Sequence, residues 1–291
     1  MTETRIELGI IGGSGLYEMD GLENFEQVSV NTPFGVPSSE IVVGTLEGLQ
    51  VGFLARHGAG HVLTPSEVNY RANIFALKSL GANRIVSISA CGSLREDFSP
   101  GNIVIPDQLF DFTKNRKSSF FGEHFVAHVG VADPFCPEFS SQVFQAVKNT
   151  GAVVRRGGKA ITIEGPRFST RGESHIFRSW GLDLIGMTTS PEGFLAREAE
   201  ICYSVIFHIT DYDVWHQTEE AVSVEMVIET LNHNINQTKD AVLELAKSYQ
   251  YSRTCSCQNA LENAFITNTR AISQDTYEKL NLLVGKYHLK S

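Results

Sequence analysis

The chain has 291 residues, of which 42% are hydrophobic and 20% charged, and a formal net charge of −9. This length accommodates one large α/β domain or two small ones, and the composition excludes wholesale disorder. The acidic balance, with no local basic stripe, excludes a nucleic-acid-binding surface.

The N-terminal sequence lacks the charged and apolar regions of a signal peptide. No stretch approaches the roughly 18 consecutive apolar residues of a membrane-spanning helix. We therefore expect a soluble cytoplasmic protein without membrane or nucleic-acid partners.

Strands and helices alternate along the chain. An apolar strand over residues 6–11 leads into the glycines of GIIGGSG, and a hairpin follows over residues 41–46 and 51–55. Further strands are predicted over residues 84–89, 103–105, 159–163, 182–186 and 202–209, and further helices near residues 138–149, 170–180 and 219–249.

Two helix starts carry capping boxes. Thr64-Pro65-Ser66-Glu67 predicts an N-cap at Thr64 and a helix that ends before Gly81. Thr170 and Glu173 predict a second capped start. Residues 111–130, between these helices, read as a polar, aromatic loop with two histidines.

The alternation predicts an α/β fold with a mixed, largely parallel central sheet flanked by helices. No repeat or linker divides the chain, so we expect a single domain over residues 1–291. Residues from about 250 to 291 form a C-terminal extension with a C-x-C sequence.

Short polar or small segments follow five predicted strands. Because ligands bind beyond the carboxyl ends of strands in such sheets, we expect these segments to converge on one rim. They are Gly12-Gly13-Ser14-Gly15, Arg56-His57-Gly58, Ala90-Cys91-Gly92-Ser93, Met187-Thr188-Thr189 and Thr210-Asp211-Tyr212-Asp213.

The glycine turn, with the Ser14 hydroxyl and backbone N–H groups, suits a phosphate or another oxyanion. Arg56 adds a planar guanidinium with a permanent positive charge, and His57 and Thr188 add further hydrogen-bond donors. A P-loop is excluded because no lysine follows the turn. A dinucleotide fingerprint is excluded because Glu18 occupies the position of its third glycine.

Asp211 and Asp213 leave two interpretations open: a solvated turn or cap, or a pair of carboxyl groups that face a nitrogen-rich ring. A protonated carboxyl donates to a ring nitrogen, and a carboxylate accepts from an exocyclic amine. Phe168, Val224 and Val227 fit either a pocket wall or ordinary core.

Five cysteines are spread along the chain: Cys91, Cys136, Cys202, Cys255 and Cys257. A zinc site at the C-x-C of residues 255–257 would need two more ligands, and no C-x-x-C or paired histidine accompanies it. We therefore expect no metal. A disulfide within the C-x-C, or between Cys136 and Cys202, stays open, although it would be unusual in a mesophile cytosol.

Several stretches in combination resemble the S-methyl-5′-thioadenosine phosphorylases, in the trimeric branch of the purine nucleoside phosphorylase family. They cover about residues 8–230, and the tail after about residue 250 is covered less well. The matching stretches are GIIGGSGLY, NTPFG, ARHGAGH, PSEVNYRANIFALKSLG, ACGSLRED, PGNIVIPDQ, ADPFCP, TIEGPRFSTRGES, MTTSPE, EICYSV, TDYDVW and EEAVSV.

The resemblance implies the nucleoside phosphorylase fold and a reversible phosphorolysis. Inorganic phosphate attacks the anomeric carbon of a nucleoside and the purine leaves, so phosphate is a co-substrate and no cofactor is needed. The residues implied to hold phosphate are Ser14, Arg56, His57, Ser89, Ala90 and Thr188. Ser14 stands where many relatives have threonine, and either hydroxyl can contact phosphate.

The resemblance also implies a nucleoside site at a subunit interface of a homotrimer. A hexamer of two trimers stays open. His128 would reach the 5′ pocket of a neighbouring subunit. The other residues implied to bind the nucleoside are Phe168, Met187, Asp211, Asp213, Val224 and Val227, with Ser169 and Val224 setting specificity.

Asp211 is expected to act as the general acid that protonates N7 of the leaving purine. A small apolar Val224 favours a methylthio group over a 5′-hydroxyl, which would lack a partner. Methylthioadenosine is thus the expected substrate, giving adenine and 5-methylthioribose 1-phosphate in methionine and purine salvage. Adenosine, inosine and methylthioinosine are alternatives, and a non-catalytic nucleoside sensor is the alternative of another class.

Overall fold

The computed structural model describes residues 5–13, 15–16, 18–216 and 224–289, with side chains of the last range described from residue 235 onward. The strands are β1 Leu8–Gly12, β2 Leu22–Val28, β3 Ile41–Leu46, β4 Leu49–Ala55, β5 Arg84–Ser93, β6 Ile103–Ile105, β7 Gln108–Phe112, β8 Val154–Arg156, β9 Lys159–Ile163, β10 Leu184–Gly186 and β11 Cys202–Asp211. The helices are α1 Tyr70–Ser79, α2 Pro137–Asn149, α3 Arg171–Ser179, α4 Thr189–Glu198, α5 Val224–Lys247 and α6 Gln274–Val284.

The long central strand β5 holds the sheet together. Along its first half it pairs in parallel with β1 on one side and with β11 on the other. The sheet continues from β1 through β4, β3 and β2, and from β11 through β6 to β8. At its carboxyl end β5 turns to a third neighbour, since Gly92 and Ser93 pair antiparallel with β10. Strand β10 pairs in turn with β9, and β9 pairs with β7.

Most of these pairings are parallel, which confirms the predicted mixed, largely parallel sheet. A parallel sheet covered by helices on both faces is buried, and β1, β5 and β11 accordingly read as near-continuous apolar runs. Every residue of β1 and β11 is buried. At the end of β5 the sheet divides, with β11 on one branch and β10 on the other. This fork brings the carboxyl ends of several strands to one place.

Many predicted elements are confirmed. The hairpin β3–β4, the strands β6 and β9, and the helices α2 and α3 lie within a few residues of their predicted bounds. Both reciprocal hydrogen bonds of the predicted capping box between Thr170 and Glu173 are formed. The Thr170 hydroxyl accepts from the Glu173 backbone N–H at 3.2 Å, and the Glu173 carboxylate accepts from the Thr170 N–H at 2.8 Å.

The predicted start of α1 is wrong. The Glu67 carboxylate does accept from the Thr64 backbone N–H at 2.9 Å, as a capping box requires, but the residues form an isolated turn. The helix begins at Tyr70, with Asn69 as its N-cap. Asn69 also donates to the Phe34 carbonyl at 2.8 Å. A long-range contact thus decides which of two adequate caps starts the helix.

The C-terminal extension packs onto the body of the domain. Leu261, Leu280 and Val284 are buried in the same apolar cluster as residues of β1, β5 and β11. Across the described residues, no helix has the length and hydrophobicity needed to cross a lipid bilayer.

Candidate active site

A cavity of about 690 Å³ lies at the fork of the sheet. Residues at or just after the carboxyl ends of five strands line it together, as the predicted rim requires. They include Gly12, Gly13, Gly15, Arg56, His57, Ser89, Ala90, Met187, Thr188, Asp211 and Asp213.

Arg56 lies on the cavity floor and is held by a buried carboxylate. Its Nε and Nη2 atoms donate to the two carboxylate oxygens of Glu192 at 2.8 and 2.9 Å, and both side chains are almost fully buried. Nη2 also donates to the Ser87 hydroxyl, and Nη1 to the Ile88 carbonyl at 3.1 Å. Burial opposes the charge of Arg56, but Glu192 outweighs it and the pKa of Arg56 is raised.

A guanidinium has five N–H donors, and four are used in these contacts. With respect to the described residues, one Nη1 hydrogen thus remains for an anion in the cavity. Tyr203 donates its hydroxyl to Glu192 at 2.8 Å, so the carboxylate is itself fixed. Sequence analysis missed Glu192 and Tyr203, although Glu192 lies in the matching stretch MTTSPE.

His57 is a neutral group in this cavity. Burial, followed by the charge of Arg56, lowers its pKa to about 4. Its Nδ1 atom lies 2.8 Å from the Leu63 carbonyl, which can only accept, so Nδ1 carries the proton. Nε2 is then an acceptor. The prediction of His57 as a further donor is corrected, because Nε2 of this neutral ring can only accept a hydrogen bond.

Two hydroxyls complete the side of the cavity nearest Arg56. The Ser89 and Thr188 hydroxyl oxygens lie 3.1 Å apart, and Thr188 is the residue directly before α4. Ala90 and the glycines after β1 add backbone surface to the same wall. Ser14, the remaining predicted phosphate ligand, lies outside the described residues.

Asp211 also lines the cavity and lies at a bulge. The register between β11 and β5 shifts between Ile209 and Asp211, so the strand extends to Asp211 rather than ending at Ile209 as predicted. A Cβ atom on Gly92 would lie 2.9 Å from the Asp211 carboxylate, so the facing strand needs a glycine here. The carboxylate accepts from the Thr210 hydroxyl at 2.6 Å and from the Asp213 backbone N–H at 2.7 Å.

Burial raises the pKa of Asp211, although these two hydrogen bonds oppose the shift. Burial also raises the pKa of Asp213, and the neighbouring charge of Asp211 adds to this. Asp213 has a φ of +51°, a left-handed conformation that is uncommon outside glycine. Its Oδ2 atom is buried without a hydrogen-bond partner among the described residues. The two largely buried carboxyl groups thus form an acidic part of the cavity lining.

Phe168, Ser169 and Met187 line the same cavity. Phe168 keeps 36% of its surface exposed, which leaves an aromatic face available to a flat ring. Thr210, which belongs to a predicted rim segment, also lines the cavity. His61, His208 and Thr238 line it as well and were not predicted. They come from a turn, from the interior of β11 and from α5, where a single residue carries no sequence signal.

Three further predicted residues are not seen in this cavity. Val224 and Val227 have side chains outside the described residues. His128 is exposed and absent from the cavity lining of its own chain. Its backbone N–H donates to the Ala264 carbonyl at 2.8 Å, which joins the loop to the C-terminal extension.

Known proteins resemble this chain over most of its length. A sequence model described as the phosphorylase superfamily matches residues 7–247. The S-methyl-5′-thioadenosine phosphorylase of Geobacter sulfurreducens is 50% identical over 96% of this chain and 98% of its own length. This coverage includes most of the extension, which the resemblance had left less well covered.

Solved structures give the same result. A methylthioadenosine phosphorylase from an Antarctic soil metagenomic library superposes with a TM-score of 0.91 at 45% identity, covering 96% of this chain and 99% of its own. The methylthioadenosine phosphorylase of Schistosoma mansoni, in complex with adenine, gives a TM-score of 0.80 at 37% identity, covering 89% of this chain and 96% of its own. The resemblance found in the sequence is confirmed, and this chain belongs to the phosphorylase superfamily.

Proposed function

We propose that this chain is an S-methyl-5′-thioadenosine phosphorylase, which converts its nucleoside and inorganic phosphate reversibly into adenine and 5-methylthioribose 1-phosphate. One observation carries the proposal. An anion-binding end built on Arg56 and an acidic end built on Asp211, with its pKa raised by burial, face the same cavity.

Phosphate occupies the Arg56 end. It accepts from the remaining Arg56 N–H, from the Ser89 and Thr188 hydroxyls, and from the glycine turn that carries Ser14. A protonated phosphate oxygen donates to Nε2 of the neutral His57 ring. Because Glu192 fixes the guanidinium, the attacking oxygen is held in place before the reaction begins.

The purine occupies the acidic end. As the glycosidic bond breaks, negative charge develops on the purine and positive charge on the ribose. Protonated Asp211 gives its proton to N7 and neutralises the leaving group, while the bound phosphate stabilises the sugar and then bonds to its anomeric carbon. Burial of Asp211 favours the protonated form that this step requires.

The unpartnered Asp213 oxygen suits the 6-amino group, because a carboxylate accepts from an amine and a 6-oxo group would be repelled. Phe168 packs near the base, and the Met187 backbone N–H reaches a ribose hydroxyl. Val224 and Val227 cover the 5′ methylthio group. Ser169 and Val224 set the choice of base and 5′ substituent.

The assembly is a homotrimer in which His128 of one subunit enters the 5′ pocket of the next. The exposure of His128, and its absence from its own cavity, support this arrangement. The reaction takes place in the cytoplasm and uses no cofactor beyond phosphate as co-substrate.

Adenine release from methylthioadenosine, with and without phosphate, tests the function. We expect release that depends on phosphate, with equal amounts of the sugar 1-phosphate. Equal release without phosphate would indicate a hydrolase, and binding without release would indicate a nucleoside sensor. The same assay with adenosine, inosine and methylthioinosine ranks the substrates, and a preference for a 6-oxopurine would contradict the assignment of Asp213.

A further inference from the structure

Four of the five cysteines meet in one place, far from the cavity. The Sγ atoms of Cys136, Cys202, Cys255 and Cys257 all lie within 4.8 Å of one another. None of them lines the cavity. Cys202 is the first residue of β11 and Asp211 the last, so the strand separates the two sites by roughly 30 Å at about 3.3 Å per residue.

The four thiols come from three separate parts of the chain. Cys136 is the N-cap of α2, Cys202 begins β11, and Cys255 and Cys257 lie in the C-terminal extension. Three of the four are buried and Cys255 is half-buried. Such a set is difficult to explain by packing alone, because a thiol needs no thiol neighbours to be buried.

We propose that Cys136, Cys202, Cys255 and Cys257 bind one Zn²⁺ ion in a tetrahedral site. Zinc–sulfur bonds of about 2.3 Å place the four sulfurs about 3.8 Å apart in a regular tetrahedron. The spacing in this cluster is compatible with that geometry after small side-chain adjustments. Binding replaces the thiol protons, so that the ion holds four thiolates and the protons pass to solvent.

The surroundings suit thiolates. Arg197 donates from Nη1 to the Cys257 sulfur at 3.1 Å, and the Phe139 backbone N–H, in the first turn of α2, donates to the Cys136 sulfur at 3.4 Å. Hydrogen bonds of this kind orient metal-bound thiolates and spread their charge.

A second arginine lies beside the cluster. Arg84 is the register neighbour of Cys202 across the parallel pair β5–β11, and it is fully buried. Its Nε and Nη1 atoms have no hydrogen-bond partner within the described parts of the chain, and the nearest carboxylate oxygen that pairs with it, in Glu138, lies 3.8 Å from Nη2. Zn²⁺ with four thiolates carries two negative charges, which Arg84 and Arg197 would balance.

The consequence is structural. Two ligands belong to the extension and two to the body of the domain, so the ion would fasten the extension to the start of β11. The C-x-C alone could not do this. The fold supplies the two further ligands that the sequence did not place beside it, and this revises the expectation that the chain holds no metal.

The metal content of the full-length wild-type chain tests the proposal. The protein is produced with zinc in the medium, purified anaerobically under reducing conditions, and measured by inductively coupled plasma mass spectrometry and by intact mass. We expect one zinc per chain. After exchange with Co²⁺ we expect the visible absorption of a tetrahedral tetrathiolate site.

Cys257→Ser should lower the zinc content at least severalfold, while Cys91→Ser, which changes a buried cysteine outside the cluster, should keep it. A chelator added to the wild type should lower Tm, because it removes an ion bound only by the folded state. These wild-type measurements decide the question even if the Cys257 variant fails to fold.

Two outcomes overturn the proposal. A zinc-free wild-type chain with an intact mass four hydrogens below the reduced value would show two disulfides instead. A zinc-free chain with all its thiols reduced and no Co²⁺ spectrum would show a cluster without metal affinity.

Discussion

At the level of single residues, the site depends on fixed protonation states at its two ends. Glu192 and Tyr203 keep Arg56 charged and oriented, and burial keeps His57 neutral near neutral pH. Burial also raises the pKa of Asp211 and so favours its protonated form. The chemistry of phosphorolysis needs this division, because an anion must be held on one face while a proton is delivered on the other.

Replacing the acid should abolish most of the turnover. Asp211→Asn keeps the size and one donor of the side chain but cannot transfer a proton to N7. We expect kcat to fall by about 10²–10⁴-fold while the KM for nucleoside changes far less. Because the acid must be protonated, wild-type kcat should also fall as pH rises through its raised pKa. Turnover close to wild type in the variant would remove Asp211 from the mechanism.

Glu192 is a positioning residue for Arg56. In Glu192→Gln the guanidinium loses one charged partner, and a charge-assisted hydrogen bond contributes about 1.5–3 kcal/mol. We expect the apparent KM for phosphate to rise roughly 10- to 100-fold, with a much smaller change in the KM for nucleoside. Glu198→Gln, another buried glutamate on α4 but outside the cavity lining, is the matched control and should leave the KM for phosphate near wild type. Equal increases in both KM values would indicate general disruption rather than positioning.

At the level of elements, Glu198 joins α4 to the loop between β7 and α2. Its carboxylate accepts from the Ser119 hydroxyl at 2.8 Å and from the Phe120 backbone N–H at 2.7 Å. Burial raises the pKa of Glu198 to about 7, although both hydrogen bonds lower it. The loop also carries His128, so this contact helps to hold a segment that the proposed trimer uses.

This raised pKa predicts a pH dependence of stability. The folded state holds a proton on Glu198 between pH of about 4.5 and 7, where the unfolded state does not. The stabilisation is therefore complete below pH 4.5 and is lost as pH rises to about 7, by on the order of 3 kcal/mol. Urea unfolding should show this decrease in the wild type and a smaller one in Glu198→Gln, whose amide resembles the protonated acid. Identical pH profiles would contradict the assignment.

The elements themselves were predicted unevenly from the sequence. Helices with a clear start signal, such as α3 with Thr170, were placed within a residue. The strands β2, β7 and β8 were missed. They lie at the ends of the sheet and none of their residues is buried, so they lack the pattern of a buried face and depend on pairing with a neighbour. Helix α4 was missed as well, since a backbone irregularity at Ser190 and a proline at position 191 interrupt its pattern.

At the level of the whole molecule, the proposed trimer can be tested by mixing defects. If His128 acts in the site of a neighbouring subunit, chains with Asp211→Asn and chains with His128→Ala can form intact sites together. We expect co-expressed mixtures to contain sites that combine the wild-type kcat with the wild-type KM for methylthioadenosine. Asp211→Asn alone should lack the first, and His128→Ala alone should lack the second. Mixtures that show only the kinetic constants of the two separate variants would indicate that His128 does not act in the site of a neighbouring subunit. Sedimentation equilibrium should give about three times the 32.1 kDa of one chain.

The sequence by itself determined the fold class, the family and most of the cavity wall. Strand periodicity is local, and the carboxyl ends of parallel strands must meet at one edge, so residues after strands could be grouped without coordinates. Arg56, Ala90, Met187, Thr188 and Asp211 all line the cavity for this reason.

Only the tertiary structure decided which groups face one another across long separations. Glu192 lies 136 residues from the Arg56 that it orients, and Cys136 and Cys202 lie far along the chain from the C-x-C that they join. The tautomer of His57, too, depends on the Leu63 carbonyl brought to it by a turn. Hydrogen bonds, ion pairs and thiol clusters act over a few ångströms in space, and the sequence pattern records only distance along the chain.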